Sequence, residues 1–122
     1  MGLCKGEAGF TLIEMLVALS VFSIAALALL RLDGYAIATT ADIDARTMAG
    51  LVVQNEAALA ATDPGPVVRG RTVSSVSNGG RRYSVQRTVT PTADARLVRV
   101  DLVAIEQAGS GRATLTMIKR VQ

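Results

Sequence analysis

The sequence predicts an α+β protein: one long N-terminal helix, transmembrane in its first half, packed on a small antiparallel β-sheet. Three observations predict it. The run from Phe10 to Leu30 is almost wholly apolar. Apolar and small residues then recur at three- and four-residue spacing to about Thr62, the period of a helix face. Beyond Asp63-Pro64-Gly65-Pro66, runs of alternating apolar and polar residues are separated by glycine-rich turns, as half-buried strands are.

The first element reads FTLIEMLVALSVFSIAALALL and carries one charge, Glu14. As a helix it is about 31 Å long, at roughly 1.5 Å per residue, which matches the hydrocarbon thickness of a bilayer. Thr11, Ser20 and Ser23 are hydroxyls that can bond back to their own helix, so they fit a membrane span. The basic-residue bias that orients such a span is weak here, because Lys5 faces Glu7 at one end and Arg31 faces Asp33 at the other. Its position at the start of the chain favours an N-terminus left in the cytoplasm.

Glu14 is out of place in that run, because an ionisable group in a membrane span is costly and points to a function. One reading is that it reaches the headgroups, being one turn from the start of the span. The other is a positive partner. If the chain is cut between Gly9 and Phe10, the new ammonium group at Phe10 lies one turn from Glu14. Within one chain, or between two subunits, that pair fixes the register of packed helices, the role for which a buried polar group is best attested.

From Arg31 to Thr62 the helix continues, with Ala41, Ala45, Met48, Val52, Asn55 and Leu59 on one stripe and Ile43, Leu51 and Ala58 beside it. This stripe is expected to carry the sheet, and Gly34 marks a bend. Asp63-Pro64-Gly65-Pro66 stops the helix. A short strand is expected over 67–76, then a turn at Ser77-Asn78-Gly79-Gly80 and a strand from Tyr83 to Val89 that Pro91 ends. Leu97 to Glu106 is the strongest strand: Val98, Val100, Leu102 and Ala104 share one face, and Arg99, Asp101, Val103 and Ile105 the other. A turn at 107–111 leads to a last strand from Ala113 to Val121. Turns this short join antiparallel neighbours. Arg81, Arg82, Arg96, Arg99 and Arg112 read mostly as solvated faces of edge strands.

Composition bounds what remains. A chain of 122 residues holds one small domain. Its net charge of +3 is spread thinly and aromatics are 3% of residues, so the basic stripe with stacking rings that nucleic acid requires is missing. There is one cysteine, Cys4, and no histidine, which excludes an internal disulfide and leaves no ordinary zinc or haem site. Only Met1, Gly2 and Leu3 precede Cys4, too little for a lipidation signal. No motif brings serine, aspartate and lysine together, so no catalytic residues, metal or cofactor are expected and the chain does not read as an enzyme.

Gly9-Phe10-Thr11-Leu12-Ile13-Glu14 resembles the prepilin signature of type IV pilins and type II secretion pseudopilins. The resemblance implies a leader over 1–9, cleavage by prepilin peptidase between Gly9 and Phe10, N-methylation of Phe10, and Glu14 as the assembly carboxylate. It also implies the pilin fold, with a membrane helix over 10–30, its periplasmic continuation over 31–62, and a loop and sheet over 63–122. Leu16 to Phe22 is similar to the "LVALAIF" run of minor pseudopilins, and Met48 to Ala60 to a helix of the I-type. Gln54-Asn55-Glu56 departs from the I-type order, and the usual aromatic before the valine is missing. The major pseudopilin usually ends in a calcium loop, and no Asp cluster stands near this C-terminus. The function implied is that of a minor pseudopilin in the inner membrane, its globular part in the periplasm. With J-, K- and H-type minor pseudopilins and the major pseudopilin, it forms the tip of a type II secretion pseudopilus. Two other readings stand beside it. One is a minor pilin of a type IV pilus. The other is a secreted binding domain with a signal peptide cut after Ala38, where Ala36-Ile37-Ala38 resembles a cleavage site. The length of the apolar run, Glu14 within it and the poor basic region before it count against the last.

Overall fold

The computed structural model describes Gly9 and residues 11–121. The elements are one helix, α1 (Leu12–Thr62), and four strands, β1 (Gly70–Asn78), β2 (Arg81–Pro91), β3 (Leu97–Glu106) and β4 (Arg112–Arg120). The chain divides into two compact units at Ala38/Thr39, so α1 contributes its first half to one and its second half to the other.

In the first unit α1 is apolar and bare. Its large apolar side chains from Leu12 to Leu32 stand exposed, Leu12 at 80% and Phe22 at 71%. A window of mean hydropathy 2.4 with none of it buried makes this a helix long and apolar enough to cross a membrane. The Ser20 and Ser23 hydroxyls donate to the Leu16 and Leu19 carbonyls at 2.7 Å, as expected of hydroxyls in such a helix. Gly34 stays helical.

The second unit is a helix on a four-stranded antiparallel sheet of order β1-β2-β3-β4, each strand pairing with its sequence neighbours. The core joins Ala49, Val52 and Val53 of α1 to Tyr83, Val85 and Val89 of β2 and Val98, Val100, Leu102 and Ala104 of β3. The β3 alternation matches expectation. The helix face matches in part: Ala45 and Val52 of the expected stripe are buried and Met48 packs against the core, but Leu59 and the flanking Ile43 and Leu51 are not. Ala45, Ala49, Val52, Val53 and Ala60 are buried, whereas Ile43, Leu51 and Leu59 are 59%, 46% and 64% exposed. The face that meets the sheet overlaps the expected stripe but is centred roughly 70° from it, on a scale of about 100° per residue. Alanine dominates it because small side chains let the helix backbone approach the sheet. At Gly111 that approach is closest: a Cβ there would stand 2.8 Å from the Ala45 carbonyl oxygen and 2.7 Å from Glu106 Oε2.

β3 has its expected bounds, β2 runs two residues beyond them at each end, β4 lies one residue earlier, and β1 is shifted to 70–78. Gly79 and Gly80 have φ of 58° and 75°, the positive values that a two-residue hairpin turn matching strand twist demands. Pro91 pairs with Val98 at the end of β2, past the reach of β1, so its missing N–H removes no ladder bond on that side. Asp94 turns the β2–β3 loop by accepting from the Arg96 guanidinium and from the Arg96 backbone N–H, which in that order hold its carboxyl below the usual range. Arg81 is no solvated edge residue. It opens β2, an inner strand, and donates to Asp44 of α1 at 2.8 Å, with Glu106 of β3 3.8 Å away. Arg99 lies on an inner strand too and pairs with Asp101.

Candidate functional site

The start of α1 is built as a reciprocal cap. The Thr11 backbone N–H donates to Glu14 Oε2 at 3.2 Å, and the Glu14 N–H donates to Thr11 Oγ1 at 3.2 Å. This is a capping box, in which Thr and a Glu three residues on satisfy each other's orphan N–H groups at a helix N-terminus. The carboxylate also lies where the helix dipole favours negative charge. Thr11 therefore does not bond back to its helix as Ser20 and Ser23 do.

Glu14 is thus held in one orientation on the first turn of a helix whose neighbouring side chains, Ile13 and Met15, are 72% and 57% exposed. One carboxylate oxygen is engaged by the cap, and Oε1 accepts no hydrogen bond from the described residues. The cap uses the amide between Phe10 and Thr11, so a cut between Gly9 and Phe10 leaves it intact. Gly9 is exposed, and a Cβ on it would meet nothing within 4 Å. Phe10 and residues 1–8 lie outside the described residues, so the expected leader, apart from Gly9, and the methylated position have no structural counterpart here. Among the described residues, no group of three or more His, Cys, Asp or Glu is placed to hold a metal ion.

Sequence reasoning named Glu14 but missed its partner. The T-x-x-E spacing was the available signal. It also missed that Lys119 of β4 donates to the Ala60 and Asp63 carbonyls at 2.7 and 2.8 Å, capping the far end of α1.

An exposed apolar helix with a fixed carboxylate in its first turn, joined to a unit with a helix on an antiparallel meander, defines a pilin-like, membrane-anchored subunit. The comparisons narrow this class. The family model described as type II secretion system protein I matches residues 43–121. A second, the prokaryotic N-terminal methylation motif, matches residues 4–30. Type II secretion system protein I of Pseudomonas aeruginosa is 28% identical over 112 residues, which cover 91% of this chain and 87% of that one. The chain belongs to the type II secretion system protein I family, the I-type minor pseudopilins.

Proposed function

We propose that the chain is an I-type minor pseudopilin that starts assembly of a type II secretion pseudopilus. After prepilin peptidase removes residues 1–9 and Phe10 is N-methylated, it waits in the inner membrane with its sheet in the periplasm. There it joins J-, K- and H-type minor pseudopilins into the tip on which the major pseudopilin is added. The proposal assigns it no catalytic step. The observation that carries this reading is Glu14, fixed by Thr11 on the otherwise apolar, exposed first part of α1, in a chain of this family. Its free oxygen is offered to the terminal ammonium of a neighbouring subunit. In a membrane such a pair is worth far more than in water, because neither charge has a solvent alternative.

The capping box allows a sharp test. Glutamine at this position still caps the helix but carries no charge. Glu14→Gln and Glu14→Ala are both expected to be cut after Gly9 as wild type is, and both to fail in assembly, read by recovery of the minor pseudopilin complex and by secretion. If Glu14→Gln assembles and secretes normally while Glu14→Ala does not, the residue acts through the cap alone and the pairing reading fails. Intact mass and N-terminal sequencing check the processing step. A chain starting at N-methylated Phe10 is the expected product, and one starting at Thr39 would mean conventional signal-peptide cleavage instead.

A further inference from the structure

The inner face of the sheet is unevenly covered. On β2, Tyr83, Val85, Arg87 and Val89 face the helix side, and all but Arg87 are fully buried. The β1 residues opposite Val85 and Arg87 are Ser74 and Thr72, and both are exposed. The helix lies over β2 and β3 and leaves the β1 margin open. A groove of about 510 Å³ results, lined by Glu56, Leu59 and Thr62 of α1, by Thr72 and Ser74, and by Arg87 in its floor.

Arg87 is mostly buried, yet its Nε has no hydrogen-bond partner. No ion pair among the described residues reaches its guanidinium. Removing a cation from water without a counter-charge is costly, and the planar fork of arginine is shaped for a carboxylate. Glu56 and Asp63 line the same groove, and neither is paired with Arg87. The edge beside it is equally unprotected. All nine residues of β1 pair with β2 in unbroken register, and among the described residues the other side of the strand has no neighbour. Proteins usually blunt such edges with bulges, prolines or charges. β1 has no bulge or proline, and its one charge, Arg71, is held to Gln86 of β2 at 2.6 Å.

We propose that this groove receives an extended, carboxylate-bearing segment of a neighbouring pseudopilin subunit. The segment adds as a fifth strand to the free edge of β1 and points an Asp or Glu inward at Arg87. The main chain of β1 supplies the pairing, and the groove selects the inward side chain, as in other strand-addition complexes. Two strand spacings of about 4.8 Å separate the added strand from β2, a gap that an arginine and a glutamate side chain bridge together. Leu59, 64% exposed on the opposite wall, covers the new strand from above. The inference rests on the reading of the chain as a subunit of an assembled pseudopilus.

The test places p-benzoylphenylalanine at Ser74 of the full chain, in bacteria running the complete secretion system, with the same probe at Thr114 on β4 as the control edge. The expected result is an ultraviolet adduct from Ser74 whose cross-linked peptide belongs to another pilin-like subunit and contains Asp or Glu. Arg87→Gln should lower its yield about tenfold, the loss of one charge-assisted contact, and Glu56→Gln should raise it by removing a like charge. The Thr114 probe should give no such adduct. An absent adduct, a yield indifferent to Arg87→Gln, or equal adducts from both edges overturns the proposal. Equal losses of thermal stability in Arg87→Gln and Glu56→Gln, with the adduct unchanged, would make Glu56 the true counter-ion and also overturn it. Processing at Phe10 and secretion are scored in the same cells. If both are normal and the adduct is missing, only the groove assignment falls.

Discussion

Asp101 projects from the outer face of β3, where the Thr116 hydroxyl donates to it at 2.6 Å and Arg99 Nε at 3.0 Å. The Thr116 bond, and then the arginine, hold its carboxyl below the usual range near 3.9. A carboxyl depressed in the folded state adds stability that is present above the unfolded value and lost as pH falls through the folded one. Thr116→Val keeps a good strand former and removes the stronger bond. The expected outcome is a lower urea midpoint for the variant at pH 7, with the two proteins converging at pH 2. A constant gap across that range would mean that the loss lies elsewhere than in this carboxylate. None of this pairing was legible in the sequence. Asp101 and Thr116 face each other only because β3 and β4 pair in this register, and the register is set by the turn between them. Glu14 is the contrary case. Its place in an apolar run singled it out at once, and Thr11 three residues before it was a legible cap that went unread.

At the level of elements, both ends of α1 are finished by side chains, one local and one distant. Thr11 and Glu14 close the start, whereas Lys119, 59 residues on, reaches the carbonyl of Ala60. A cation suits a helix C-terminus through both hydrogen bonds and the dipole. Lys119→Met keeps the aliphatic stem and removes both bonds. It is expected to cost about 1–2 kcal/mol, measured by urea unfolding of the detergent-solubilised full chain. An unchanged midpoint would show the carbonyls to be equally well served by water. The strands were readable because alternation, Pro91 and the Gly79-Gly80 pair each have one structural meaning. The sheet-bearing face of α1 was not. Leu59 and Ile43 are more apolar than Ala49 and Ala60, so hydrophobicity alone aimed the helix wrongly. What decides the face is close approach: the Ala45 carbonyl leaves no room for a side chain at Gly111, and Ala49 is fully buried in the core.

Across the whole molecule, apolar residues serve two solvents. In the second unit they form an ordinary core, and Leu102→Ala should cost about 2–5 kcal/mol through the cavity it leaves, a large share of the 5–15 kcal/mol typical of a domain. Ile24, 69% exposed on α1, has no such core around it, and Ile24→Ala should leave the unfolding midpoint where it was. Equal losses at the two sites in the same detergent titration would contradict this division. Fold class was legible at this scale because the two kinds of apolar pattern, a continuous run and an alternating one, succeed each other along the chain. The open groove beside β1 was not, since it depends on how far across the sheet the helix reaches. The meander order has a consequence for kinetics. Every strand pairs with its successor across a short loop, so each closure costs little chain entropy. Contacts close in sequence favour fast folding. The sheet can zip from one hairpin to the next, and the slowest step left is the landing of α1 across it. A subunit that folds this way shortens the interval in which the inner strands β2 and β3 lack partners, leaving the outer edges of the sheet as the strands still open to pairing.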